Sequence, residues 1–203
     1  KRQYFADPSM SLEQAQLAKL DHISRKLMAG PEHRVLDIGC GWGGLAMHIA
    51  ETTGAQVTGI TLSEEQHAYA TAKARERGLA DRVTFHLRDY RNETGTYDRI
   101  VSVGMFEHVC VPNYDTYFEC IRDRLNQRGI AMMHTIVQAH LPWPTNPWLT
   151  KYIFPGGYCP AVSEVLRSIE KLGLWTTDME SWRLHYAETL RHWRDALLAR
   201  RDE

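Results

Sequence analysis

The stretch Val35-Leu36-Asp37-Ile38-Gly39-Cys40-Gly41-Trp42-Gly43-Gly44 decides how this chain folds. Apolar residues around a single acid describe a buried strand. The glycines break it into a tight turn before the helical run Leu45-Ala46-Met47-His48-Ile49-Ala50. Glycine accepts positive φ and lets a ligand approach the backbone with no Cβ in the way. The spacing Gly39-x-Gly41-x-x-Gly44 formally satisfies the dinucleotide fingerprint, a weak signal by itself. That fingerprint also needs an acid about 20 residues on, at the end of the second strand, for the adenosine ribose. The corresponding place reads Gly59-Ile60-Thr61-Leu62 with no acid, and the acid here precedes the glycines, at Asp37. A strand carrying an acid into Gly-x-Gly is the S-adenosylmethionine arrangement of this architecture, not the nicotinamide one.

Outward from the turn, strands and helices alternate. Ser11-Leu12-Glu13-Gln14 fits a capping box for a helix to about Met28, ended by Gly30-Pro31. Strands are expected at Arg34–Ile38, Gln56–Ile60, Arg82–Leu87, Tyr97–Val103 and Ile130–Ile136, and another near Trp175–Met179. Helices are expected from a second capping box at Ser63-Glu64-Glu65-Gln66 to about Arg77, from Tyr114 to Leu125, from Val162 to Leu172 and from Tyr186 to Arg200. This βα rhythm predicts an α/β fold, a doubly wound, mostly parallel sheet with ligands at the carboxyl ends of its strands. Residues 137–160 break the rhythm. Pro142, Pro144, Pro147, Pro155 and Gly156-Gly157 mark a long irregular segment, and its Trp143, Trp148, Tyr152 and Phe154 argue against disorder. The expected organisation is one domain over 1–203, with 137–160 as a segment facing substrate.

Composition excludes more than it selects. A net charge of -1 gives no electrostatic case for nucleic acid. Cys40, Cys110, Cys120 and Cys159 have neither CxxC spacing nor disulfide-framework density, so a reducing cytosol is the default. No apolar run reaches the roughly 18 residues of a membrane span. Glu107, His108 and His134 would make an incomplete metal site and no HExxH is present, so no metal is expected.

Past the glycine turn the chain resembles the cyclopropane fatty acid synthase family of methyltransferases. The matching segments are Tyr4-Phe5 before Ala15-Gln16-x-x-Lys19, the glycine stretch 35–46, residues 59–66, Asp89-Tyr90-Arg91, and 98–109 with Glu107-His108 after a Val-Gly-Met-Phe strand end. His134-Thr135-Ile136, Lys151–Gly157 and 185–193 complete the set. The resemblance implies that residues 36–44, with Asp37, Gly39, Cys40, Gly41 and Gly43, hold the methionine portion and ribose of S-adenosylmethionine. Thr61, Leu62 and Gln66 would border ribose and adenine, Asp89, Tyr90 and Arg91 the adenine, and Val103 its other face. A capping role alone also explains Gln66, and a turn or cap role also explains Asp89.

The reaction implied is methylenation of a cis double bond in an unsaturated phospholipid acyl chain at the membrane surface. An alkene attacks the electrophilic methyl, and a base then removes a proton from that carbon so the ring closes. In the family the base is a bound bicarbonate. Glu107, His134 and Tyr186 match its three side chains, and the backbone N–H of Ile136 a further donor. Taken singly, Glu107 reads as a surface polar residue, His134 as a satisfied core histidine and Tyr186 as a packing ring. The segment 141–158 would line or cover the acyl channel, or simply pack over the sheet. Arg191, Arg194, Arg200 and Arg201 would meet anionic headgroups or form a solvated helix face.

The pattern departs from the family in two places. Arg2 stands where a cysteine normally lends its amide to the bicarbonate, and Cys110 where glycine normally follows Glu-His-Val. The chain opens on Lys1 and ends at Glu203 without the last antiparallel strand of this fold. It therefore reads as a fragment with an exposed sheet edge, open to self-association as a homodimer. Three alternatives stay open: a same-fold N-methyltransferase of small amines, a methyl-branching fatty acid methyltransferase, and an inactive cofactor-binding fragment. The implied location is cytoplasmic, at the inner face of the membrane.

Overall fold

A computed structural model describes residues 3–152 and 155–201. Arg2 and Phe154 therefore lie outside the described residues. Five strands, β1 (Arg34–Ile38), β2 (Gln56–Thr61), β3 (Val83–Leu87), β4 (Tyr97–Val103) and β5 (Leu125–His134), pair in parallel in the order β3-β2-β1-β4-β5. Helices α2 (Gly44–Thr53) and α3 (Glu64–Glu76) carry the chain from β1 to β3, and α4 (Tyr114–Arg124) joins β4 to β5. The short α5 (Pro147–Tyr152) and α6 (Val162–Lys171) follow.

The described residues group into two compact units. The larger, Leu27–Thr176, holds the whole sheet. Its central strands read as near-continuous apolar runs because both faces are covered: Val35, Leu36, Ile38, Ile100 and Val101 are all buried. Below them an aromatic cluster forms around the fully buried Phe106, whose ring lies 4.4 Å from Tyr114, 5.0 Å from Tyr117 and 5.6 Å from Phe118. Phe106 opens a short 3-10 turn, Phe106–His108, so this packing pins the residue after it, Glu107, to α4.

Two strand expectations need correction. β5 starts at Leu125, not Ile130: Leu125 pairs with Tyr97, then three extra residues bulge out before Ile130 pairs with Arg99. Asn126 Nδ2 donates to Asp98 Oδ1 at 2.8 Å, and Arg128 takes φ 66 before Gly129, so a turn-like sequence is absorbed into a strand. Ile136 consequently lies just beyond the strand. No strand forms at Trp175–Met179. Trp175 and Met179 are exposed, and Asp178 within the run and Glu180 just after it are drawn into ion pairs instead, with Lys26 at 2.6 and 2.5 Å. Among the described residues β5 pairs on one side only, with β4.

The smaller unit takes in the residues up to Lys26 and those from Thr177, with most of α1 (Leu12–Leu27) and α7 (His185–Ala199). The capping box at the start of α1 is complete: Gln14 N–H donates to Ser11 Oγ and Ser11 N–H to Gln14 Oε1, at 3.2 and 2.8 Å. Tyr4 is stacked between His22 and His185, with ring centroids 4.5 and 4.8 Å away. Phe5 N–H donates to His185 Nδ1 at 3.0 Å, a bond only the neutral imidazole accepts, and burial lowers the pKa of His185 accordingly.

Burial alone would raise the Glu180 carboxyl, but hydrogen bonds from Lys26 and His22 outweigh it and hold the group at about 2. A depressed carboxylate stabilises the fold above its unfolded value, and that contribution is lost as pH falls through the folded one. Acid unfolding should therefore gain a step between about pH 4.5 and 2 that depends on this residue. Urea titrations across that window should show a shallower pH dependence in Glu180→Gln; an unchanged slope would remove the cluster as its source.

Candidate functional site

Because all five strands run the same way, their carboxyl ends share one edge, and the order reverses between β1 and β4. A crevice opens at such a switch point. The turn after β1 crosses it. Gly39, Gly41 and Gly43 take φ of 73, 58 and 79. At two of them the glycine is also a packing requirement. A Cβ on Gly39 would stand 2.7 Å from Met105 Cγ, and one on Gly43 would stand 2.6 Å from Phe85 Cζ and 2.9 Å from Ala70 Cβ. Gly44 differs, since a Cβ there meets nothing within 4 Å. Gly43 offers no side-chain cap, so the first amides of α2 open onto this space with the positive end of the helix dipole. Asp37 and Cys40 are buried beneath the turn.

On the β2 side, Thr61 is buried and Leu62 is exposed. The capping box expected at α3 is half formed. Gln66 N–H donates to Ser63 Oγ at 3.2 Å, but Thr61 Oγ1 donates to Gln66 Oε1 at 2.9 Å and receives the Ser63 N–H at 3.3 Å. The Gln66 amide is thus held against the end of β2. After β3, Asp89 caps a 3-10 turn at Tyr90–Asn92 by accepting the Arg91 N–H at 2.9 Å. Its two oxygens also take Arg91 Nε and a terminal nitrogen at 2.9 and 2.6 Å, and that guanidinium holds the carboxyl below the usual carboxylate range. The capping reading of Asp89 is the one formed here. The half-buried Tyr90 sets its ring edge-on to Tyr117 at 5.4 Å, making it a wall backed by the aromatic cluster.

On the β4–β5 side, Val103 is buried at the strand end. Gly104 N–H donates to the His134 carbonyl at 2.9 Å and ties the two strand ends together. Glu107 then receives the Ile136 N–H on Oε1 at 2.8 Å, while its Oε2 is buried with no hydrogen-bond partner. An orphaned buried carboxylate oxygen is rare and points to an absent partner. The backbone carbonyl of Glu107 accepts from Tyr158 N–H at 2.8 Å, and Tyr158 Oη donates to Glu164 at 2.9 Å, so the returning irregular segment braces this turn. The larger unit therefore assembles Glu107, His134 and Ile136. Tyr186 lies near the start of α7 in the smaller unit, half-buried.

Met105 and Gly104 escaped the sequence reading, though the Val-Gly-Met-Phe strand end was its available signal. From β2 to β5 there are three inter-strand steps, roughly 14 Å at ~4.8 Å each. That span suits an elongated nucleoside with its base by β2–β3 and its reacting end by β4–β5.

A parallel sheet with an acid-Gly-x-Gly turn at its switch point defines the Rossmann-like methyltransferase class of α/β proteins. Residues 3–203 match the family model of mycolic acid cyclopropane synthetase, and the chain belongs to that family. It is 44% identical over 192 residues to the cyclopropane-fatty-acyl-phospholipid synthase of Escherichia coli strain K12, covering 93% of this chain and 48% of that protein. It is 40% identical over 201 residues, 96% of this chain and 51% of the other, to a probable fatty acid methyltransferase of Pseudomonas putida. The crystal structure of mycolic acid cyclopropane synthase CmaA1 complexed with SAH and CTAB is similar at TM-score 0.90 and 31% identity, over 99% of this chain and 75% of that one. The chain spans about half the length of the curated relatives it matches.

Cys110, the departure that follows Glu-His-Val, takes φ 61 and ψ 142. That region is almost confined to glycine and costs other residues about 1–3 kcal/mol. The turn has kept a glycine backbone around a cysteine. Cys110→Gly should relieve the strain, less about 0.5–1 kcal/mol of added unfolded-state entropy. The net gain should be about 1 kcal/mol, or ~3 °C in melting temperature. Cys110→Ala retains the strain and should melt with the parent; a glycine variant no more stable than the alanine one would show the turn to be unstrained.

Proposed function

We propose that this chain carries out the S-adenosylmethionine-dependent methylenation of a cis double bond in an unsaturated phospholipid acyl chain. The observation that carries this reading is Glu107, fixed through one oxygen by the Ile136 amide and left with its other oxygen buried and unpartnered at the β4–β5 edge. A carboxylate can only accept. Whatever completes that oxygen must bring its own proton, and it must be small enough for a closed corner. Bicarbonate fits, because its hydroxyl can donate to Glu107, and when bound it would supply a base at this corner.

In the reaction, the alkene electron pair forms a bond to the sulfonium methyl carbon while the carbon–sulfur bond breaks, releasing the demethylated cofactor. Positive charge is left on the second alkene carbon. Loss of a proton from the transferred methyl then lets that C–H electron pair close the ring. The residue roles in this reading are those that the family resemblance implies. The glycine turn and Asp37 hold the amino-acid and ribose portions of the donor. Thr61, Leu62 and Gln66 border the ribose, and Asp89, Tyr90, Arg91 and Val103 enclose the adenine. Glu107 would orient the hydroxyl of a bound anion and His134 would donate to its oxygens; the family resemblance gives Tyr186, on α7, the role of a further donor. Ile136 already gives its N–H to Glu107, so its role is to aim that carboxylate unless it exchanges partners on binding.

The irregular segment after β5 faces lipid, and the protein works at the inner face of the membrane; no described helix is long and apolar enough to cross one. Arg191 and Arg194 are engaged with Glu188 and Asp195 on their own helix at 2.7 Å each, which favours the solvated-face reading for them. Methylation of an amine would need no proton acceptor of this kind, so Glu107 favours the lipid reaction over that alternative.

Stripping dissolved carbonate should slow ring formation, and adding it back should restore the rate. Losing one hydrogen-bonding group at a preorganised charged site costs about 3–4 kcal/mol, so Glu107→Gln and Tyr186→Phe should each turn over roughly two to three orders of magnitude slower. Parental rates in both variants, read by mass spectrometry of the lipid product, would remove the anion from the mechanism. Gly41→Val should abolish S-adenosylmethionine binding in calorimetry while the far-ultraviolet spectrum persists; unchanged affinity would misplace the donor.

A further inference from the structure

The irregular segment between β5 and α6 is a closed loop with a built base. Gln138 N–H donates to the Pro160 carbonyl at 2.8 Å, and a bridge joins Gln138 to Ala161. The Gln138 side-chain nitrogen then donates to both Trp143 O and Cys159 O, at 2.8 and 2.6 Å. One residue therefore fastens the outgoing strand, the start of the loop and its return. Beyond this base lie residues of the kind that a folded protein normally hides. Leu141 is 81% exposed, Trp143 69%, Trp148 58% and Tyr152 61%.

α5 organises the outermost part. Asn146 starts it, its side-chain oxygen accepting the Trp148 N–H at 2.8 Å and its carbonyl the Thr150 N–H at 3.1 Å. Trp148 and Tyr152 sit one turn apart with ring centroids 5.9 Å from each other, and Lys151 Nζ lies 5.0 Å from the Tyr152 ring centre. Charge follows the same pattern. No Asp or Glu occurs from 124 to 163, 40 consecutive residues, where the overall frequency of 25 acids in 203 residues would give about five. β5 explains the gap over its own ten residues. The exposed loop has no such excuse, and its only fixed charge is Lys151.

Indole and phenol rings beside a lysine, on a surface cleared of acids, are the chemistry of a bilayer's headgroup layer. The rings bury their carbon faces at that depth and keep their polar ends wet, while carboxylates would be repelled by anionic lipid. We propose that the loop closed by Gln138 docks this protein on an anionic phospholipid surface, with Trp143, Trp148 and Tyr152 seated among the headgroups and Lys151 against their phosphates. This deepens the reading of phospholipid as substrate and rests on it, because the loop leaves the sheet from the same edge that carries Glu107 and His134.

Flotation of the 203-residue chain with vesicles of phosphatidylglycerol and phosphatidylcholine, against phosphatidylcholine alone, tests this. The parent should float with the anionic vesicles. Trp148→Ser/Tyr152→Ser should bind them at least about tenfold more weakly, given the interfacial preference of those rings. Thr150→Glu should weaken binding to anionic vesicles and leave neutral ones unaffected. S-adenosylmethionine affinity should be unchanged in each, and Leu141→Ser replaces the double variant if that one fails to fold. Equal flotation of parent and variants overturns the proposal, as does a parent that ignores vesicles. So does loss, in the variants, of a concentration-dependent dimer seen by light scattering, which would make the face an interface between copies. Turnover of detergent-dispersed lipid without flotation would defeat the docking alone. Flotation with no methylenated product under any condition would defeat the functional reading and leave the docking standing.

Discussion

Parallel pairing of β1 with β2 on one side and β4 on the other is the constraint on which the larger unit depends. A parallel neighbour cannot be reached by a tight turn, so every connection must travel back along a face of the sheet, usually as a helix. Connections from β1 to β3 go one way and those through β4 and β5 go the other. Where they part, a crevice is left at the strand ends, and the chain leaving β1 must turn sharply there. The glycines answer that demand. Gly39 and Gly43 sit where the backbone needs positive φ and where Met105, Phe85 and Ala70 leave no room for a Cβ. The crevice is a by-product of topology, and the turn keeps it open.

The same economy of space shapes the opposite side of the crevice. The aromatic cluster around Phe106 is what makes the Glu107 turn rigid, and rigidity is what allows a carboxylate oxygen to remain buried without a partner. A floppy turn would swing that oxygen into water, since an unsatisfied buried acceptor costs on the order of 1–3 kcal/mol, more for a charged group. The backbone strain at Cys110, three residues on, belongs to the same tightly held corner. Orphaned polar atoms and unfavourable φ values persist where surrounding packing over-determines the chain, and one of each falls in this turn, at Glu107 and Cys110.

Much of this was legible beforehand, for identifiable reasons. Strand β1, the glycine turn and the αβ alternation are written in local hydrophobic pattern and in glycine spacing. The complete capping box at Ser11 and Gln14 likewise needs only neighbours in sequence. The Ser63 box failed by half because a residue two positions earlier, Thr61, supplies a competing hydroxyl. Asp89 was ambiguous because a single carboxylate can cap a turn or meet a ligand, and only the placement of Arg91 selects the cap. The start of β5 was missed since Asn126 to Gly129 reads as a turn, and a bulge becomes a strand only when a neighbouring strand is there to pair with. Trp175–Met179 shows the converse: a suitable run that pairs with no neighbouring strand stays irregular.

By itself, then, the sequence determined the fold class, the family and the place of the glycine turn at the end of β1, because periodicity, glycine spacing and a run of family motifs are properties of neighbouring residues. Tertiary structure alone decided which distant residues meet. Glu107 and Ile136 are 29 positions apart, and nothing in either segment announces that one's amide would hold the other's carboxylate. Gln138 gave no sign of fastening a loop whose ends are more than 20 residues apart. Hydrogen bonds between distant segments depend on the register of the sheet and the packing beneath it, which are set by the whole chain at once.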